Sequence, residues 1–221
     1  MGGLNIMNTY HSLKDLVYNY IADLINDGEL SDDHKVNEQR VCDALDVSRT
    51  PVREALIQLS ADGYLENVPR RGFYVKRMTV ENAREIMEVV GPLDGRAALL
   101  AVKAVTEEDI AQMKFLHGSM QIAIETGLFD KYSTLQSEFH DCYVQKCGNQ
   151  KLVELIGRFR RFFIKGEHAG GGEGDLKALL LTENEEHAQI VRLFEEGDGE
   201  GLQRFIRDVH WGSHNAQYFA W

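Results

Sequence analysis

Apolar residues recur at helical spacing along most of this chain, and only one short region alternates as strands do. Leu13, Leu16, Val17, Tyr20, Ile21, Leu24 and Ile25 fall at i, i+3, i+4, i+7, the spacing of a helix with one buried face, and Asp27-Gly28 ends the stripe. A shorter pattern from about Asn37 to Leu45 turns Val36, Val41 and Leu45 inward. Asp46 and Val47 make a tight turn into a third helix, whose inner face is Val52, Ala55, Leu56 and Leu59. Gly63-Tyr64-Leu65 ends that helix. Leu65 to Val68 and Gly72 to Val75 then read as two short strands around Pro69-Arg70-Arg71-Gly72.

Helix, helix, turn, helix and basic hairpin is the order of a winged helix-turn-helix. Beyond Lys76-Arg77-Met78-Thr79 no strand alternation remains. Six helical segments are predicted, at about 79–104, 107–126, 129–147, 150–166, 182–196 and 199–218. Gly91-Pro92 is expected to kink or split the first of them, because proline removes a backbone donor and clashes with the preceding turn. Thr106 with Asp109 three residues on has the form of a reciprocal cap. Cys147-Gly148-Asn149 closes the third segment, glycine or asparagine suiting a left-handed cap. The run Ala169 to Gly174 is read as a loop, since its four glycines favour no regular structure. The expected fold class is mainly α: a winged helix-turn-helix over residues 1–77, followed by an all-helical bundle over 78–221.

The start of the third helix carries the most specific chemistry. Ser48 or Thr50 is placed to cap its first turn, and Pro51 falls where a missing N–H costs nothing. Arg49 and Arg53, four apart, share a face other than the apolar one. Two arginines and two hydroxyls at a helix start suit phosphates and base edges in a major groove. A net charge of −11 argues the other way until it is divided along the chain. Residues 1–77 hold nine Lys/Arg against twelve Asp/Glu and residues 78–221 fifteen against twenty-three, net −3 and −8. Arg40, Arg49, Arg53, Arg70 and Arg71 all lie on elements expected to face DNA, so placement outweighs the sum.

Three cysteines, Cys42, Cys142 and Cys147, fit neither a zinc ribbon nor a disulfide framework. No run of about 18 apolar residues exists, and the first residues lack a signal-peptide pattern. These features lead us to expect a cytoplasmic protein with no membrane partner.

The string Val47-Ser48-Arg49-Thr50-Pro51-Val52-Arg53-Glu54-Ala55-Leu56, with Gly28, Asn37-Glu38-Gln39, Leu59, Gly63 and Arg71-Gly72…Val75, resembles the DNA-binding domain of GntR-type transcription regulators. The resemblance implies that Ser48, Arg49, Thr50 and Arg53 meet a double-stranded operator and that Arg70, Arg71 and Gly72 form a wing entering the minor groove. Gln39 stands where some relatives carry a DNA-contacting arginine, with Arg40 beside it. In the second half, Phe139-His140, Gly148-Asn149, Leu152, Glu186-His187, Ile190 and Gly197-Asp198 follow in order the sparse pattern of the helical effector (FCD-type) domain of the FadR subfamily.

That resemblance implies a pocket for a small-molecule effector, with carboxylic acids the common class, and one divalent metal. The metal is held by an aspartate, a histidine four residues later and two histidines from the last two helices. His140 and His187 match two of these. The aspartate position is Gln136, a neutral and poorer ligand. The third histidine is His210, although counting from Asp198 places Val209 at the ligand position, with a one-residue shift at Gly199 or Gly201 as the remedy and His214 as the alternative. Gln136, His140, His187 and His210 are thus the candidate metal and ligand residues, and three imidazoles suit zinc, nickel or a similar ion. Val90 stands where relatives carry a carboxylate-binding arginine, for which Arg158, Arg160 or Arg161 is a substitute. The function expected is a ligand-responsive regulator, a repressor reading a pseudo-palindrome as a homodimer. A DNA-binding dimer without effector is the alternative. A metal-dependent hydrolase is remote, because His-Glu-x-x-His and a placed general base are both missing.

Overall fold

The computed structural model describes residues 12–26, 29–30, 34–160 and 173–218, and the chain divides into two compact units between Arg77 and Met78. The expected helix stop at Asp27-Gly28, Arg161, and residues 169–172 of the glycine run lie outside the described residues.

The first unit holds α1 (Leu13–Asn26), α2 (Glu38–Leu45), α3 (Arg49–Ala61), β1 (Leu65–Val68) and β2 (Gly72–Val75). Asn37 starts α2 by accepting from the amides of Gln39 and Arg40, satisfying two donors that a helix start leaves open. Asp46 then takes a left-handed conformation (φ 52°) and turns the chain into α3. Val17 and Ile21 of α1 and Val52, Ala55, Leu56 and Leu59 of α3 have no exposed surface. At about 1.5–3 kcal/mol for each large side chain, this α1–α3 contact is the main stabiliser of the unit. Leu13, expected on the inner stripe, is instead 44% exposed, one turn before the contact begins.

β1 and β2 pair antiparallel, Leu65 opposite Val75 and Val68 opposite Gly72. A third segment joins them. Val36 donates to the Phe73 carbonyl (2.9 Å) and Val75 to the His34 carbonyl (3.0 Å), which anchors the approach to α2 on the hairpin. The hairpin tip needs two positive-φ residues, Arg70 at 65° and Gly72 at 106°. Gly72 is the one suited to its angle.

The second unit is all-helical among its described residues: α4 (Val80–Ala101), α5 (Glu107–Glu125), α6 (Phe129–Val144), α7 (Gln150–Arg160), α8 (Glu173–Glu196) and α9 (Gly199–Phe205), then a π-helical turn (Ile206–His210) and a 3-10 turn (Ser213–Tyr218). Thr106 and Asp109 form the reciprocal cap of α5. Gly148 takes φ 68° after α6. Of the kink or split expected at Gly91-Pro92, the split does not occur, and α4 runs through as one helix. Packing accounts for this. A Cβ on Gly91 would lie 3.0 Å from Trp211 Cβ, and one on Gly95 2.7 Å from the Gln203 carbonyl. The last segment of the chain thus lies directly on the glycine face of α4, and that contact offsets the hydrogen bond proline cannot make. Glu173 and Gly174, read as loop, begin α8, which starts nine residues earlier than its apolar periodicity suggested.

Candidate functional site

The first candidate site is the polar face of the first unit. Ser48 occupies the N-cap position of α3 but makes no side-chain bond there, so the cap expected of it is not formed and the first amides of the helix stay open. Gln39, Arg40, Ser48, Arg49, Thr50 and Arg53 are all exposed, as are Arg70 and Arg71 at the hairpin tip. Arg49 donates to Gln39 Oε1 at 2.8 Å, and Gln39 in turn donates to Asp43 Oδ1 at 2.8 Å. Arg53 pairs with Glu38 at 2.9 Å while 63% exposed. An ion pair so exposed is worth at most about 1 kcal/mol, little enough for a phosphate or base edge to displace it. The Arg71 guanidinium lies 5.6 Å from the Tyr74 ring centroid, which restricts the wing side chain without burying its charge.

The second candidate site lies inside the helical unit. His140 of α6, His187 of α8 and His210 of the π turn are all buried, and one ring nitrogen from each lies within 4.8 Å of the others. Of the residues singled out from the pattern, Gln136 is half-buried and His214 is exposed. Val209, the position reached by counting, is 38% exposed. The register is corrected by the π-helical turn at Ile206–His210 and not at Gly199 or Gly201. One residue more per turn rotates His210 inward and Val209 out, and such turns are frequent at functional sites. Nothing in the apolar periodicity announces it.

Two carboxylates stand behind the histidines, and the sequence pattern did not identify either. Asp94 of α4, with no exposed surface, lies 3.1 Å from His140 Nδ1 and accepts from the Trp211 indole at 2.8 Å. Glu186 lies 2.9 Å from His210 Nδ1. A lone acid among Met87, Val90, Gly91, Ala97 and Ala98 on the buried face of α4 was the one available signal for Asp94. The Tyr143 hydroxyl is 2.6 Å from His140 Nδ1.

Burial pushes the His140 imidazole down to about 4, outweighing the opposite pull of Asp94, and pushes His187 well below the usual histidine range. Burial alone would raise Asp94. The charge and hydrogen bond of His140, with Arg160 and Trp211, outweigh it and hold the carboxyl at about 2. At neutral pH the pair is therefore a carboxylate beside a neutral imidazole. Burial raises Glu183, one turn before His187, to about 7, and holds Tyr132 and Tyr143 well above the usual phenol range.

These facts test whether a metal fits. Carboxylates stand at Nδ1 of His140 and His210, and an imidazole that donates there turns a free Nε2 lone pair to the cluster. The two Nε2 atoms face each other at 3.1 Å. At that distance they either share one hydrogen, one ring donating to the other, or take a metal ion between them. His187 has no exposed surface and, among the described residues, no side-chain partner; the Glu183 backbone carbonyl one turn earlier acts on its ring as a hydrogen-bond acceptor. The ring nitrogen left over is an orphaned buried group, costly by about 1–3 kcal/mol. Three nitrogens aimed at one point, two of them backed by carboxylates, match the donor set of a zinc-like ion.

The arginine substitutes resolve in part. Arg160 is largely buried and paired with Asp141, and Arg158 is half-buried. Arg160 acts electrostatically on Asp94 and Tyr143, on the Nδ1 side of His140, away from the converging nitrogens.

Comparison with known proteins agrees with both units. Residues 13–75 match the family described as bacterial regulatory proteins, gntR family, and residues 85–209 match the FCD domain. An uncharacterized HTH-type transcriptional regulator of Bacillus subtilis, YdhC, is 29% identical over 140 residues, 63% of this chain and 62% of that protein. The HTH-type transcriptional repressor RspR of Escherichia coli is 26% identical over 176 residues, 76% of this chain and 73% of that one. The solved structure of E. coli McbR/YncC superposes with a TM-score of 0.76 at 21% identity, over 95% of this chain and 98% of its own, and so shares the fold. Among the described residues no helix is long and apolar enough to cross a membrane. With a gntR-type unit followed by an FCD domain that alone spans more than half of its length, the chain belongs to the gntR family of DNA-binding transcription regulators.

Proposed function

We propose that this regulator is a homodimer of the FadR subfamily that represses transcription from a pseudo-palindromic operator and changes its affinity when a small metabolite enters the helical unit. Repression is carried over from the relative named as a repressor. The dimer follows from the symmetry argument that two copies of α3 read two half-sites. Arg49 and Arg53 read base edges and phosphates with Ser48 and Thr50. Gln39 and Arg40 touch the backbone from α2. Arg70, Arg71 and Gly72 serve the wing. All these side chains are exposed on one unit, with Gly72 half-buried beside them, and the two ionic or polar ties that hold the arginines are weak enough to exchange.

The observation that carries the sensing half is the buried convergence of His140, His187 and His210, with no side chain among the described residues satisfying His187. The three imidazoles would hold one zinc- or nickel-like ion, with Asp94 and Glu186 orienting two of them. Such an ion supplies a Lewis-acid position at which a small carboxylic acid is gripped, a role that Val90, buried and apolar, does not fill on α4. Burial keeps His140 neutral against the pull of Asp94, Asp94 orients its ring, and Trp211 ties the last segment of the chain to α4 through the same carboxylate. Occupation of the site therefore bears on how that segment packs, and a population shift between packings would couple the two units.

Selection from a random duplex library by purified protein at about 0.1 M salt tests the DNA half, with Arg49→Ala as control. An enriched palindrome lost in the control is the expected result, and enrichment retained in the control would remove α3 from the groove. Repeating the selection with metal and a panel of small carboxylic acids tests the sensing half. Operator affinity that never responds would favour a regulator whose helical unit serves assembly alone.

A further inference from the structure

Glu183 is the remaining buried acid beside the histidine cluster. It is 6% exposed, and its carboxylate accepts from the Tyr132 hydroxyl at 3.3 Å. It lies four residues before His187 on α8, so the two share one face of the helix a turn apart. Tyr132, Gln136 and His140 are likewise successive turns on α6. Tyr132 meets Glu183, and the His140 ring lies 5.5 Å from that of His187, so α6 and α8 run in the same direction here. Gln136 is thus level with the turn between Glu183 and His187.

We propose that Glu183 is the anionic ligand of the histidine site, so that the carboxylate comes from α8 and not from position 136 on α6. The proposal rests on reading the histidine cluster as a metal site. Three neutral imidazoles leave a dication with its full charge in a buried place, where an uncompensated charge is most costly. Asp94 and Glu186 are already engaged at the Nδ1 atoms, on the far side of their rings. Gln136 contributes a dipole and no charge. As it stands the Glu183 carboxylate lies outside the three-histidine group, and to join it the side chain must rotate and give up one long hydrogen bond to Tyr132. His187, with no side-chain partner among the described residues, is the neighbouring donor on the same helix face. A Glu-x-x-x-His pair on α8 then does what an acid at position 136 and His140 would have done on α6.

The test is zinc affinity of the full chain, measured against a chromophoric chelator, for the wild type, Glu183→Gln, Glu183→Gln with Gln136→Asp, and His187→Ala. The visible spectrum of cobalt-loaded protein is the second readout. Glu183→Gln should weaken zinc by about tenfold or more and alter the cobalt spectrum, and Gln136→Asp in that background should recover most of the loss. Glutamine is close to isosteric, and retained helical circular dichroism confirms the fold of each variant. Wild-type affinity and an unchanged cobalt spectrum in Glu183→Gln, with binding lost in His187→Ala, would overturn the role of Glu183 and leave the metal site standing. Equal zinc affinity in the wild type and His187→Ala would overturn both.

Discussion

The two candidate sites are opposites in how they are built. The arginines of α3 and the wing are exposed side chains on short local elements, held by ties that solvent or a ligand can replace. The three histidines come from α6, α8 and the π turn and are buried, with carboxylates of α4 and α8 beside two of them. A surface site for a polyanion needs charge and reach, which can be spent with little effect on folding. A buried site for a small ligand places unsatisfied polar groups inside the core, so function and stability draw on the same residues.

The largest effect that sharpens this contrast concerns pH. Burial raises Glu183 in the fold from 4.5 to about 7. A raised carboxyl contributes its full stability below the unfolded value and loses it as pH rises through 7. In metal-free protein, Glu183→Gln should therefore gain up to about 3 kcal/mol over the wild type at pH 8 and nothing at pH 4. His140 works in the other sense. Held at about 4 from 6.5, it favours the fold above pH 6.5 and loses that contribution as pH falls through 4. Denaturant titrations followed by tryptophan emission check both, since Trp211 and Trp221 lie in the second half of the chain. A gain that is the same at pH 4 and pH 8 would show that Glu183 is not protonated in the fold.

Next in size is His187→Leu. It removes a buried imidazole that no side chain among the described residues satisfies, at similar volume, and should stabilise the metal-free helical unit by about 1–3 kcal/mol while abolishing tight zinc binding. A loss of stability would mean the imidazole is satisfied by groups the geometry does not show.

Arg49→Ala should cost about 1–3 kcal/mol of operator binding, measured by fluorescence anisotropy, and leave denaturant stability within about 0.5 kcal/mol. Equal losses in binding and folding would erase the distinction between the two sites. The smallest effect is expected for Glu38→Gln, which frees Arg53. Stability should fall by less than about 1 kcal/mol, and DNA affinity at low salt should hold or improve.

The readability of the two sites in sequence divides along the same line. Val52, Ala55, Leu56 and Leu59 put α3 in place, and Arg49 and Arg53 follow on its outer face, because neighbours within two turns of one helix decide all of it. His140 and His187 were named by their place in the family's pattern, and each lies in a regular helix where that spacing holds. His210 was not decided by its own periodicity. The π turn that brings it inward gives up regular α-helical bonding, and the packing of the last segment on the Gly91 and Gly95 face of α4 accompanies it. The same packing keeps α4 a single helix where Gly91-Pro92 suggested a break.

The sequence by itself determined the helical class, the winged arrangement of the first unit, its basic exposed face and two of the three buried histidines. Each of these depends on residues within a few turns of one another, where backbone geometry maps spacing directly to facing. Only the tertiary structure decided that Asp94 and Glu186 stand behind His140 and His210. Those pairings join residues up to 46 positions apart (Asp94 to His140), and which buried acid meets which imidazole is settled by how whole helices pack. No local pattern encodes that.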